Sequence, residues 1–118
     1  MTRLRGSISV LLLFTAACGS DSSVDPTTGS NKTVDVYTLN TAFSPNVVQI
    51  SAGDTVRFNI VTASNGEGHD VTFDPKPGAP ANIKVTLAGI ISRVFTTRGT
   101  FHYNCFVHPG MSGDVQVQ

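Results

Sequence analysis

The sequence has few of the side chains that most often reveal what a protein does. It contains no tryptophan, two cysteines, two methionines and three histidines, and charged residues make up only 14% of its 118 residues. Its formal net charge is zero, and its eight basic residues are scattered along the chain. Binding to nucleic acid or to an anionic membrane surface requires a concentrated basic patch, so neither is expected as a partner. The length allows a single domain.

The sequence also lacks an apolar run long enough to cross a bilayer, which takes roughly 20 residues. Its most apolar segment, Ile8–Phe14, follows Arg3 and Arg5 and precedes a pair of alanines. A positive start, a short apolar stretch and small residues before a cleavage point are typical of a secretion signal. We therefore predict a signal peptide over residues 1–17. Its removal leaves six basic and eight acidic residues, a mature net charge of about −2.

Cys18 directly follows the alanines, and the sequence "TAAC" is similar to the lipobox of bacterial lipoproteins. In that motif the cysteine is lipidated and becomes the new N-terminus. Thr15 departs from the motif, which prefers leucine there, and ordinary signal-peptidase cleavage after Ala17 also fits. Residues 18–33 are rich in Ser, Asp, Thr and Gly and are predicted to form a flexible tether. We expect an exported, periplasmic or cell-surface protein whose only membrane attachment is a lipid at Cys18.

The remaining residues, 34–118, are predicted to form an all-β domain. Val56, Phe58 and Ile60 alternate with polar residues, which indicates a half-buried strand. No window shows a helical period over ten residues, and Gly- and Pro-rich turns separate the apolar segments. The predicted strands are Val34–Val36, Val47–Ile50, Val56–Ile60, His69–Phe73, Ile83–Leu87, Ser92–Thr96, Phe101–Cys105 and Val115–Val117. Seven to eight short strands in about 85 residues predict a two-sheet β-sandwich. We expect a monomer.

Three scarce side chains meet in the stretch "CFVHPGM", which holds Cys105, His108 and Met111. Export permits disulfides, yet Cys105 is the only cysteine of the predicted domain, so its thiol needs protection by burial or by a metal. Side-chain alternation places Cys105 on the same face of its strand as Phe101 and Tyr103, which is therefore the core face. Thiolate, imidazole and thioether together form a soft ligand set that favours copper.

A trigonal copper plane needs a second imidazole. His102 lies on the opposite face of the cysteine strand by the same alternation, so we expect a surface residue there. His69 is the better candidate, because it opens an apolar strand in "GEGHDVTF". His69, Cys105 and His108 would form the plane, with Met111 as a weak axial ligand. Taken singly, His69 could be a core histidine and Met111 a core filler. Zinc fits poorly, because a structural zinc site wants a fourth strong donor.

These motifs resemble the cupredoxins, the small blue-copper proteins that include plastocyanin, pseudoazurin and amicyanin. The likeness covers Asp35 to Val117 and includes "FSPNVVQISAGDTVRFNI", "HDVTF", "GTFHYNC" and "CFVHPGMSGDVQV". The Cys-x2-His-x2-Met spacing most resembles amicyanin. The chain departs from the family pattern at Val107, where amicyanin-like loops often have proline, and at Asp70, where asparagine is common.

The resemblance implies a Greek-key β-sandwich that binds one copper ion at His69, Cys105, His108 and Met111. It also implies electron transfer rather than catalysis, with redox partners docking where the ring edge of His108 reaches the surface. Copper oxidases and nitrite reductases place a histidine beside the cysteine, whereas Cys105 lies between Asn104 and Phe106. Two alternatives use the same ligands: a copper-sequestering protein without a redox partner, and a metal-free structural or sensory module.

Overall fold

The computed structural model describes residues 31–118, so the predictions for the signal peptide, Cys18 and most of the tether lie outside the described residues. The strands are β1 (Thr33–Leu39), β2 (Ala42–Ser44), β3 (Val47–Ile50), β4 (Thr55–Ile60), β5 (His69–Phe73), β6 (Ile83–Thr86), β7 (Gly89–Val94), β8 (Gly99–Cys105) and β9 (Met111–Val117). Within this part of the chain there is no helix with the length and hydrophobicity needed to cross a membrane.

The strands form two sheets, which confirms the predicted all-β sandwich. One sheet has the order β2-β1-β4-β7 and the other the order β3-β9-β8-β5-β6. The β1–β4 and β3–β9 pairs are parallel, and the other pairs are antiparallel. Consecutive strands such as β2 and β3 lie in different sheets, so the chain crosses repeatedly from one sheet to the other. Residues 31–118 contain nine strands where seven to eight were predicted, because β2 is a three-residue strand too short to show a period.

Strand β9 begins at Met111, four positions before its predicted start at Val115. Gly113 and Asp114 are poor strand formers and hid this half of the strand. Antiparallel pairing with β8 overrides that preference and runs without a break from Gly99↔Val117 to Cys105↔Met111. The pairing therefore brings two of the predicted metal ligands together at one end of the sandwich.

Aromatic rings fill the space between the sheets. The ring of Tyr103 is fully buried and meets Phe43, Phe58 and Phe73 at centroid distances of 4.9, 5.4 and 5.7 Å, all in edge-to-face or steeply tilted geometry. A side chain at Gly113 would collide with the Tyr103 phenol, so glycine is required at this position of the neighbouring strand β9. The aromatic core fixes the strand that ends in Cys105 against the opposite sheet.

The outer face of β8 carries His102, opposite Asp114 on β9. The imidazole Nδ1 lies 2.8 Å from the Asp114 carboxylate, and the two side chains are 40% and 33% exposed. The hydrogen bond to Asp114 raises the pKa of His102, although partial desolvation opposes it. His102 thus lies on the surface, as the alternation predicted, and is occupied by an ion pair.

This pair should make stability depend on pH. Because the pKa of His102 is raised in the folded state, the pair contributes fully below the ordinary imidazole value of about 6.5 and is lost as the pH rises through the raised value. His102→Gln should lower the free energy of unfolding more at pH 5.5 than at pH 8, by less than about 1 kcal/mol because the pair is half exposed. Urea denaturation measures the difference. In an Asp114→Asn background the same substitution should lose its pH dependence; an equal effect at both pH values in the wild-type background would contradict the assignment.

Candidate metal site

The four predicted ligands come from two separate segments of the chain at one end of the sandwich. Cys105 ends β8, Met111 begins β9, and His108 lies in the connection between them, residues 106–110. His69 begins β5, which pairs with β8 on its other side. The Met111 N–H donates a hydrogen bond of 3.1 Å to the His108 carbonyl, which closes the connecting loop.

The structure brings His69, Cys105 and His108 into one cluster whose donor atoms all lie within 4.8 Å of one another. The Cys105 sulfur is 3.9 Å from Nδ1 of His69 and 3.7 Å from Nδ1 of His108. A trigonal ion with bonds of about 2.0 Å to nitrogen and 2.3 Å to sulfur would separate those atoms by about 3.7 Å. The donor spacing therefore fits a metal ion at the centre of the triangle.

All four side chains are buried. His69 is fully inaccessible, and Cys105, Met111 and His108 are 2%, 2% and 7% exposed. The three clustered side chains are therefore closed off from solvent. Met111 pairs with Cys105 across β8 and β9, so the two side chains share a face of the sheet, whereas His102 lies on the other face of β8.

Burial shifts the pKa values of two ligand side chains, His69 and Cys105. It lowers the pKa of His69, and the neighbouring His108 ring lowers it further. Burial also raises the pKa of the Cys105 thiol, with a further rise from the Asp70 side chain, while the backbone N–H groups of Asp70, His108 and Val107 oppose the rise. At neutral pH a metal therefore finds a neutral imidazole and must displace the thiol proton, so metal affinity rises with pH.

Asp70 connects the His69 strand to the loop that carries Cys105 and His108. Its carboxylate accepts hydrogen bonds from the backbone N–H groups of Phe106 at 2.8 Å and Val107 at 3.3 Å, and from the Thr72 hydroxyl at 2.8 Å. The side chain is only 5% exposed. Asp70 therefore connects β5 to the ligand loop and, where asparagine is common in the family, adds a negative charge next to the ligands.

Gly68 allows His69 to enter the sheet. A side chain at Gly68 would approach the carbonyl oxygen of Thr86 to 2.6 Å, and Thr86 is the β6 residue that pairs with His69. Glycine thus permits the close backbone approach that positions the first ligand.

Glu67 is a residue of the site that the sequence did not reveal. Its carboxylate lies 3.2 Å from Nε2 of His108, in ion-pair range although the ring N–H is not aligned for a hydrogen bond. The His108 side chain is only 8% exposed and Nε2 itself is buried. Glu67 therefore lies over the outer nitrogen of His108 and leaves only a small part of the ring exposed, and partner docking at this histidine stays a prediction. The motif "GEGH" contains Glu67, but only the folded arrangement of the two loops shows which ring it meets.

No protein-family model matches the chain. A plastocyanin from Prochlorothrix hollandica is 35% identical to it over 117 residues, covering 91% of this chain and 82% of the relative. This chain is a cupredoxin of the plastocyanin family. The family resemblance stated from the sequence motifs is thereby confirmed.

Solved structures agree with the cupredoxin assignment. A reduced Cu(I) amicyanin variant is 28% identical with a TM-score of 0.60, covering 73% of this chain and 82% of the amicyanin. A copper-containing nitrite reductase from Thermus scotoductus SA-01 is 26% identical with a TM-score of 0.61. The alignment covers 72% of this cupredoxin but only 22% of the reductase chain, so the likeness concerns one portion of a much longer enzyme.

Asp70 should control both the rigidity and the potential of the cupredoxin site. Asp70→Asn keeps the size and most hydrogen bonds but removes a negative charge, which should raise the reduction potential by tens of millivolts (about 59 mV corresponds to a tenfold change for one electron). Asp70→Ala leaves three donors unsatisfied and should lower the free energy of unfolding by roughly 2 kcal/mol or more. Voltammetry and urea denaturation measure these effects. Equal stability of the two variants would contradict the connecting role.

Proposed function

We propose that this protein carries single electrons, using one copper ion held by His69, Cys105 and His108, with Met111 as a weak axial ligand. The observation that carries the proposal is the buried His–Cys–His triangle, whose sulfur–nitrogen distances of 3.7 and 3.9 Å suit a trigonal metal. Copper in such a site supplies one-electron chemistry between Cu(I) and Cu(II). The protein supplies a ligand frame that is already assembled, so little rearrangement accompanies the change of charge.

Three contacts in the protein limit the rearrangement of the ligands when the charge of the metal changes. The β8–β9 pairing fixes the distance between the ends of the ligand loop, Asp70 holds its first two backbone N–H groups, and Glu67 lies against the outer nitrogen of His108. A ligand set held from several sides changes geometry little on gaining or losing an electron, and pre-organisation of this kind favours fast transfer.

The relatives support a carrier rather than an enzyme. Plastocyanin and amicyanin match this chain over most of their own length, whereas the nitrite reductase matches over 22%. Cys105 is also flanked by Asn104 and Phe106, so no neighbouring histidine feeds a second copper. The alternative of copper sequestration without a redox partner uses the same ligands. A rapid electron self-exchange rate supports the carrier, and tight Cu(I) binding with slow exchange supports sequestration.

For location, we propose export through the signal peptide at residues 1–17, a tether over residues 18–33 and the cupredoxin domain from residue 34. Structure extends slightly into the tether, because β1 begins at Thr33 and the Lys32 N–H donates to the Asp54 carboxylate at 2.9 Å. We propose the periplasm or the cell surface as the destination, a lipid at Cys18 as the membrane attachment and a monomer as the working form.

The copper site can be tested by its visible absorption spectrum. Adding Cu(II) to the purified protein should produce intense absorption near about 600 nm from thiolate-to-copper charge transfer. Cys105→Ser should abolish that band because it removes the thiolate, whereas Met111→Gln should keep the band and shift the reduction potential. Ser112→Ala serves as a nearby control that should leave the spectrum unchanged. A band that persists in the Cys105→Ser protein would contradict the ligand assignment.

The anchor can be tested by metabolic labelling of the full chain expressed in a bacterial host. A palmitate analogue should label the wild-type protein and not Cys18→Ala, and the variant should move from the membrane fraction to the soluble fraction. Cleavage after Ala17 by the ordinary signal peptidase would instead give an unlabelled soluble wild-type protein and refute the anchor.

A further inference from the structure

The loop next to His108 contains the pair Asn65–Gly66, and this is the one asparagine–glycine pair of the sequence. The backbone nitrogen that follows an asparagine can attack the side-chain amide carbon, which starts deamidation. A side chain on the following residue hinders that approach, and glycine has none. The other six asparagines precede Lys, Thr, Val, Ile or Cys. Asn65 is therefore the asparagine of this sequence that is most open to the reaction.

The structure leaves room for the attack. Asn65 and Gly66 are both exposed, and a side chain at Gly66 would meet no atom within 4 Å. The Gly66 N–H donates a hydrogen bond of 2.8 Å to the Ala63 carbonyl, and this bond has to open before the nitrogen can react. Hydrogen bonds in an exposed turn open locally at a small cost in free energy. The folded loop therefore permits the reaction.

A second hydrogen bond activates the amide of Asn65. Its Oδ1 accepts the backbone N–H of Glu67 at 3.1 Å, which folds the side chain back along the backbone towards Gly66. Attack on the amide carbon places negative charge on Oδ1. A donor that already points at such an oxygen stabilises this charge as it develops. The Glu67 N–H thus favours the tetrahedral intermediate.

The same amide holds Glu67 in place beside His108. Nδ2 of Asn65 donates a hydrogen bond of 2.6 Å to Oε2 of Glu67, and that oxygen lies 3.2 Å from Nε2 of His108. No Lys or Arg among residues 31–118 forms an ion pair with Glu67. An oxygen in place of Nδ2 would turn this attraction into repulsion between two carboxylates. Because Glu67 is 52% exposed, its carboxylate is then free to turn into solvent.

We infer that Asn65 is a self-modification site, and that its deamidation releases Glu67 from His108. The Gly66 nitrogen bonds to Cγ of Asn65, the bond from Cγ to Nδ2 breaks, and the Gly66 proton leaves with Nδ2 as part of ammonia. The five-membered succinimide takes up one water molecule and opens at either carbonyl, giving aspartate or isoaspartate. No electron is transferred, and the reaction does not depend on the proposed electron-carrier function. The product has one more negative charge beside the ring at which partner docking is predicted.

Mass spectrometry of the full chain tests the modification. After incubation of the folded protein in mildly alkaline buffer, the peptide that contains residue 65 should show deamidation and isoaspartate. The other six asparagines are internal controls and should react at least about tenfold more slowly, because a side chain follows each of them. Asn65→Gln should remove the reaction, since a glutamine would have to form a larger ring. An Asn65 that stays intact, or that reacts no faster than the other asparagines, would refute the inference.

NMR spectra of the metal-free protein test the release of Glu67. Asn65→Asp supplies the product directly and should shift the ring signals of His108. Asn59→Asp is the matched control, because the Asn59 amide also donates to a carboxylate, that of Asp35 at 2.8 Å, on the sheet that carries no ligand. This control should leave the His108 signals where they are.

A double-mutant comparison separates the release of Glu67 from the direct effect of the new charge. In a Glu67→Ala background, Asn65→Asp should shift the His108 signals by less than about half as much as it does in the wild type. The backbone groups of residue 67 keep their hydrogen bonds with Ala63 and residue 65 in these variants, so the loop should still fold. An equal shift in both backgrounds would overturn the proposed release even where Asn65 deamidates.

Discussion

The metal end of this protein depends on one buried carboxylate. Asp70 lies next to His69 in the chain, yet its oxygens bond the backbone of Phe106 and Val107, which lie between Cys105 and His108. A single side chain thereby holds the two separate pieces of sequence that carry the ligands. Its backbone N–H opposes the rise in thiol pKa that burial causes at Cys105, whereas its side chain adds to that rise. Charge-assisted hydrogen bonds in a buried position are strong, so this connection is well suited to fixing ligand geometry.

Holding the ligands in this arrangement costs the protein some folding free energy. In the metal-free protein, Nε2 of both His69 and His108 is buried without a well-aligned hydrogen-bond partner, and a thiol takes the place of an apolar core residue. The aromatic cluster around Tyr103 and the unbroken β8–β9 pairing offset these costs, because they lie directly beneath the ligands. Buried polar groups that lack partners are expected where function requires them. A metal held by the two Nδ1 atoms and the Cys105 sulfur would leave both Nε2 atoms without a partner.

Side-chain alternation and spacing were sufficient to predict that His69, Cys105 and His108 cluster, while Met111 as a fourth ligand stays a prediction. The period of two placed Cys105 in the core and His102 outside it, and the short Cys-His-Met spacing identified the loop. What the sequence did not reveal depends on contacts between distant segments. Gly113 and Asp114 disfavour a strand locally, but pairing with β8 imposes one. Glu67 appears in the sequence as a loop residue, and only the folded positions of the two loops bring it to His108. Whether a ring edge is exposed is decided by such contacts and not by any local pattern.

The central claim is that the protein holds its metal in a closed site whose geometry barely changes between redox states. X-ray absorption at the copper edge, recorded on the Cu(I) and Cu(II) forms, tests it most directly. The account predicts two nitrogen donors and one sulfur donor in both states, with bond lengths that change by less than about 0.2 Å. An additional oxygen donor in the Cu(II) form, or the loss of one imidazole on reduction, would contradict it.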